Sequence, residues 1–160
     1  MNPGTLTFFC GKMGAGKSTK AGEVASSSNT VLICEDELLS ALYPNLINTL
    51  EDYIHYSGLL KPQVKKLTQS ILLTGANVVL DFPANTVQQR TWMKQISSEI
   101  GAKHLLYYID VPDAECLKQI AKRRAEHPER HNTDTPEMFK ALKPYFQAPM
   151  PSEELNVKLL

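Results

Sequence analysis

Between a short apolar run and a helix-compatible stretch lies Gly11-Lys12-Met13-Gly14-Ala15-Gly16-Lys17-Ser18, which places its glycines, lysine and hydroxyl at the spacing G-x-x-x-x-G-K-[ST]. Each residue type suits one task in holding a polyphosphate. Glycines let successive backbone N–H groups converge on phosphate oxygens, and a helix beginning near Gly16 adds its positive N-terminal end. An ammonium at Lys17 can reach the β and γ oxygens, the Ser18 hydroxyl can ligate Mg2+, and Thr19 can bond the α-phosphate. The pattern predicts that Gly11, Lys12, Met13, Gly14, Ala15, Gly16, Lys17, Ser18 and Thr19 bind ATP with Mg2+; the bland alternative is a merely flexible glycine loop. Lys12 has no assigned role within it.

A second acidic position follows from Asn77-Val78-Val79-Leu80-Asp81, an apolar stretch ending in a carboxylate. If it is a strand, Asp81 stands at the C-terminal edge, where open α/β sheets bind ligands. Asp81 is then a candidate to orient Mg2+ directly or through water, because hard cations take oxygen ligands; a turn Asp before Pro83 is the alternative. His127 and His131 invite a zinc reading, but Pro128 breaks the helix that would align them, and no Cys is near. Cys10, Cys34 and Cys116 include no C-x-x-C pair, so they read as small buried side chains.

The elements that must position these groups alternate in type. Thr5 to Cys10 is a strand, Lys17 to about Ser26 a helix, and Thr30 to Cys34 a strand. A helix over Asp36 to Tyr43 follows, with Asp36 at its N-cap and Pro44 ending it. Asn48 to Tyr56 and Lys61 to Thr74 are two further helical segments, with Leu60, Val64, Leu67 and Ile71 as a stripe facing the sheet and Gly75 as the stop. Then come a strand over Asn77 to Phe82, a helix over Thr86 to Ile100, a strand over His104 to Ile109 and a helix over Ala114 to Glu126. The helix basic at its end is followed by a breaker-rich stretch, a helix over Glu137 to Phe146, an extended Pro-rich tail and a terminal strand over Val157 to Leu160. This order predicts an α/β fold, a three-layer α/β/α sandwich on a mostly parallel sheet.

Composition narrows the function classes. The 160 residues fit one domain, 1–160, with a lid at about 124–136. Lys plus Arg and Asp plus Glu balance at 17 each, which predicts no strong general binding to nucleic acid and none to a membrane. Met1 to Gly11 lacks the basic region, apolar core and cleavage site of a signal peptide, which predicts a cytoplasmic protein.

Gly11 to Thr19, Glu35-Asp36-Glu37-Leu38 ahead of Leu42-Tyr43, Val79 to Asn85 with Arg90, and Pro149 to Glu153 together resemble small P-loop kinases. That group, within the AAA-type ATP-binding domain family, includes polynucleotide 5′-hydroxyl kinases, zeta toxins and chloramphenicol phosphotransferase. The resemblance covers most of the chain and implies the P-loop NTPase fold and transfer of a γ-phosphoryl group to an acceptor hydroxyl. It implies Asp36 as the base toward that hydroxyl, a role compatible with an N-cap, and Asp81 as the Walker B acid. It implies further that Arg123 or Arg124 lies over the transferred group, where a guanidinium suits charge spread over equatorial oxygens. Basic residues at a helix end are also expected on dipole grounds, and Arg90 can equally be a solvated helix charge. Such kinases usually carry an Arg three residues after the base. Here that position is Leu39, which weakens a nucleic-acid 5′ end as acceptor and leaves a small molecule beside it. A nucleotide-dependent switch or ATPase module acting on a macromolecule is the alternative function. The aromatics Tyr43, Tyr53, His55 and Tyr56 are expected on the acceptor side, stacking a base or filling core.

Overall fold

The alternation of single-residue steps along Leu6-Thr7-Phe8-Phe9-Cys10 decides how the domain is layered. Strand residues point to opposite faces in turn. In the computed structural model, which describes residues 2–130 and 133–160, this run is strand β1 (Leu6–Cys10). Leu6, Phe8 and Cys10 enter one core with Val78, Leu80 and Leu106, while Phe9 enters a second with Val79. Both faces are therefore apolar, as a central parallel strand requires.

The remaining elements are α1 (Lys17–Ala25), β2 (Thr30–Cys34), α2 (Glu35–Leu42), α3 (Leu50–Leu73), β3 (Asn77–Pro83), α4 (Val87–Ser98), β4 (His104–Tyr108), α5 (Asp113–Glu126), α6 (Pro136–Leu142) and β5 (Val157–Leu159), with short 3-10 turns at Pro128–Arg130, Lys143–Tyr145 and Pro151–Glu153. The sheet runs β2-β3-β1-β4-β5, every described pairing parallel. Leu39, Leu60, Val64, Leu72, Met93 and Ile96 from α2, α3 and α4 cover one face. Ala21, Cys116, Ile120 and Phe139 from α1, α5 and α6 cover the other. This is the expected three-layer P-loop NTPase fold. The chain leaves β1 toward β2 on one side and reaches β4 on the other, so a crevice opens at the C-terminal end of β1, where ligands of such sheets bind.

Two expectations about α3 are corrected. It is one helix of 24 residues with Pro62 inside, rather than two segments. Gly58 and Pro62 are both exposed, so the Gly58 carbonyl that loses its partner to the proline ring faces water. The inward face is Ser57, Leu60, Val64, Thr68 and Leu72, whereas Leu67 is 54% exposed. Small polar residues fill places that a purely apolar stripe would assign to leucine.

Arg90 is likewise no solvated helix charge. Its side chain is fully buried, and its Nε and Nη2 donate to the Glu153 carboxylate at 2.8 and 3.1 Å, while Nη1 donates to the Ala84 carbonyl at 3.0 Å. Lys94 Nζ adds a bond to the Glu153 backbone carbonyl at 3.1 Å. These bonds strap the segment before β5 across α4. Burial pushes the Glu153 carboxyl up, but the Arg90 hydrogen bonds and charge outweigh it and hold the group below the ordinary Glu range. The carboxylate contribution is thus present above the unfolded Glu pKa and lost as pH falls through the depressed folded one. Glu153→Gln leaves Arg90 buried and uncompensated, and is expected to cost about 3–5 kcal/mol of unfolding free energy by urea titration.

Candidate functional site

The loop after β1 cannot be built from ordinary residues. Gly14 and Gly16 adopt φ of +80° and +100°, and a Cβ on Gly14 would stand 2.6 Å from the Cys116 carbonyl oxygen. Gly14 therefore both turns the chain and lets it press against α5. Ala15 is buried in the second core and Met13 packs against that core, which fixes the loop there. Gly16 is the N-cap of α1 and offers no side-chain hydrogen bond. The first N–H groups of α1 are left for another acceptor, and a phosphate is the natural one.

Lys17 opens that helix. Its Nζ donates to the carbonyls of Gly11 at 2.5 Å and Lys12 at 3.0 Å, so the ammonium is folded back over the loop. Burial pulls its pKa down to about 8, against the opposing influence of Cys10 and Asp81; Arg123 is close enough to lower it further. Ser18 and Thr19 are exposed at the same end.

Asp81 sits in β3 opposite Cys34 of β2. Burial raises its pKa, opposed by the neighbouring Ser18 hydroxyl and by Lys17, and its Oδ2 accepts a contact of 3.7 Å from Cys34 Sγ. A hydroxyl and a carboxylate thus meet beside the lysine. Two hard oxygen donors with phosphate oxygens and waters completing the shell fit Mg2+, which rarely takes an all-protein cage. Among the described residues no group of three or more His, Cys, Asp or Glu could hold a metal, and His127 is paired to Glu129 at 3.2 Å. His131 lies outside the described residues.

Asp36 is not an N-cap. β2 runs into α2 without a loop, Cys34 takes the extended cap position, and Asp36 is the second residue of the helix, exposed and with no described hydrogen bond. Its charge reaches Asp81 on one side and Arg130 on the other. Its neighbour Glu35 turns inward, 2% exposed, and accepts from Tyr53 Oη at 2.6 Å and Ser57 Oγ at 2.8 Å. Burial raises its pKa despite those bonds. Of the aromatics, Tyr43 and Tyr56 pack together with centroids 4.5 Å apart, and Tyr43, Tyr53 and Tyr56 pack against the core.

Lys12 is held by Asp113 at 2.5 Å; Lys143 bonds the other carboxylate oxygen. Arg123 donates from Nε and Nη2 to the Asp134 carboxylate, both at 2.7 Å, whereas Arg124 Nε is buried without a partner among the described residues. Asp134 carries no local sequence signal and was not anticipated, while Glu35 and Asn85, whose Oδ1 accepts from the Gly11 N–H at 3.0 Å, lay within the quoted motifs without these contacts being foreseen. The cysteines behave as expected: Cys10 and Cys116 are buried, Cys34 is half-buried, and burial pushes the Cys10 thiol up to about 11.

A family model described as an AAA domain matches residues 6–149. The chain belongs to the AAA domain family. No curated protein matches the sequence. Among solved structures, this AAA-domain chain is similar to APE1195, with a TM-score of 0.69, 18% identity, and coverage of 100% of this chain and 86% of that one. A sugar kinase from Janibacter sp. HTCC2649 gives 0.65 and 16%, covering 99% and 85%. The APS kinase CysC of Mycobacterium tuberculosis, in complex with AMPPNP and APS, gives 0.54 and 17%, covering 93% and 85%. These likenesses establish the P-loop fold. No helix among the described residues is long and apolar enough to cross a membrane.

A phosphate cluster beside Lys17 favours its charged form, so nucleotide binding should raise the depressed pKa. Between about pH 8 and the ordinary lysine value, binding must then draw in a proton. Calorimetry of Mg-ATP binding at about pH 9 in buffers of different ionisation enthalpy is expected to show net proton uptake by the protein, absent in Lys17→Met.

Proposed function

We propose that the protein is a Mg-ATP-dependent phosphotransferase that moves the γ-phosphoryl group to an acceptor hydroxyl. The observation that carries the reading is Asp36: a solvent-facing carboxylate at the C-terminal end of β2, close enough to influence Asp81 yet outside the Ser18–Asp81 pair. A base must reach the acceptor while the metal site is filled, and this placement allows both.

In this reading the backbone of Gly11 to Ser18 and the α1 N-terminus hold the phosphates, Lys17 exchanges its carbonyl partners for β and γ oxygens, and Thr19 lies toward the α-phosphate. Ser18 and Asp81 would hold Mg2+, which would supply neutralisation of the developing phosphate charge. Asp36 orients the acceptor hydroxyl and takes its proton. Arg123, beside Lys17, is favoured over Arg124 as the guanidinium meeting the transferred group, because it reaches the electrostatic neighbourhood of the ammonium. Leu39 is buried at 5% exposure, so α2 offers no cation there to grip a phosphorylated end; a small hydroxyl compound is the acceptor favoured over a nucleic-acid end. The AMPPNP bound in the APS kinase structure supports the nucleotide-binding half of this assignment.

Asp36→Asn removes the base and, since Asp36 is no cap, should leave the fold intact. A screen of hydroxyl acceptors with labelled ATP identifies the substrate. The variant is then expected to bind Mg-ATP as wild type does and to lose transfer by roughly 100-fold or more. Full transfer by Asp36→Asn would sink the assignment. Tight ATP binding with no acceptor found would favour the switch or ATPase reading instead.

A further inference from the structure

Asp134 is the one acidic side chain of the lid region that is shut away from water, at 1% exposure, and it is filled by arginine from two sides. Arg123 of α5 donates Nε to Oδ2 and Nη2 to Oδ1, both at 2.7 Å. Arg130, in the 3-10 turn that follows α5, donates Nε to Oδ2 at 2.6 Å and Nη2 to Oδ1 at 3.4 Å. Each guanidinium thus gives the same edge to one carboxylate, and neither Nη1 makes a hydrogen bond among the described residues. Burial raises the Asp134 pKa, but the two arginines outweigh it and keep the carboxyl ionised.

The carboxylate itself is held firmly. Its own N–H bonds the Arg130 carbonyl at 2.8 Å, Thr135 caps α6 immediately after it, and Phe139 of α6 is buried against Cys116 and Ile120 of α5. The two arginines differ in what lies beyond them. Arg123 is near enough to Lys17 to depress its pKa, and Arg130 is near enough to Asp36 to feel its charge. One therefore borders the donor side and the other the acceptor side.

We propose that Asp134 is a positioning residue: it holds Arg123 and Arg130 at a fixed separation, leaving their Nη1 groups for the oxygens of the phosphoryl group in transit, and touches neither nucleotide nor acceptor. The inference rests on the phosphotransferase reading above. Two guanidinium groups this close repel each other, and the shared carboxylate offsets that repulsion while keeping a net charge of one for an anion. Charges fixed before the reaction stabilise a transition state more than mobile ones do.

Removing the Asp134 charge has opposite effects on binding and turnover, which a scaffold role cannot mimic. Asp134→Asn adds one net positive charge beside the phosphates, so Mg-ATP affinity holds or tightens. The arginines lose their common anchor, so turnover falls. The experiment compares wild type, Asp134→Asn and Asp134→Glu by Mg-ATP calorimetry, melting temperature and single-turnover release of phosphate from labelled ATP with enzyme in excess. The expected result is wild-type or tighter binding by Asp134→Asn with release slowed by about tenfold or more, and Asp134→Glu between the two. Unchanged release in Asp134→Asn overturns the proposal, as does a loss of nucleotide affinity in step with melting temperature. If Asp134→Asn does not fold, Asp134→Glu decides: slower release with affinity kept supports the role, and no change in either overturns it. If wild type binds Mg-ATP but neither hydrolyses it nor transfers its phosphoryl group, the phosphotransferase reading falls first and this inference with it.

Discussion

A buried ammonium without a carboxylate partner organises the crevice edge of the sheet. Among the described residues Lys17 bonds only two carbonyls of its own loop, and burial holds its pKa down to about 8 because those dipoles replace water incompletely. Asp81 is near enough to attract it, yet that carboxylate is itself desolvated, with the Ser18 hydroxyl nearby. The orphan N–H groups of α1 point to the same region, and Arg123 adds a further cation. The charge surplus is local, since the whole chain is neutral by its formal count. A site of this kind attracts polyphosphate.

The loop is tied to its surroundings at its first two residues, Gly11 and Lys12. Asn85 accepts from the Gly11 N–H, and its backbone carbonyl accepts from Gln147 at 2.8 Å. Gln147 Oε1 in turn accepts the Val87 N–H at 2.8 Å. The segment before β5, strapped over α4 by Arg90 and Glu153, therefore reaches the phosphate loop in two hydrogen bonds. On the opposite side Asp113 joins Lys12 to Lys143. Asp113 is partly exposed, so this bridge contributes less to stability than the buried Arg90 pair.

What was legible in the sequence was what is local. The phosphate loop and its flanking strand and helix follow from spacing within about twenty residues, and the parallel sheet follows from alternation of element types. β5 was legible too, because a short apolar run after a Pro-rich stretch has few other uses. The two-segment reading of α3 failed because Gly58 and Pro62 look like breakers until one knows that both face solvent. Arg90 looked like a surface charge because its partner, Glu153, is 63 residues away. Asp134 and Glu35 acquire meaning only from side chains that the fold brings to them, and no spacing rule names such pairs in advance.

The start of α2 shows how one local fact sets the chemistry of two acids. Because β2 passes into the helix without a loop, Glu35 and Asp36 are its first two residues and point about 100° apart. Glu35 turns toward α3, where Tyr53 and Ser57 occupy its oxygens and burial raises its pKa. Asp36 turns to solvent and to the neighbourhood of Arg130 and Asp81. Position 39, four residues after Glu35, falls on the inward face with it, so a guanidinium there would be driven into the core rather than toward a ligand. Leucine is the residue that this geometry accepts. On the phosphotransferase reading proposed above, α2 thereby contributes a carboxylate and no guanidinium toward the acceptor, an arrangement suited to a neutral hydroxyl compound rather than to a substrate already carrying phosphate.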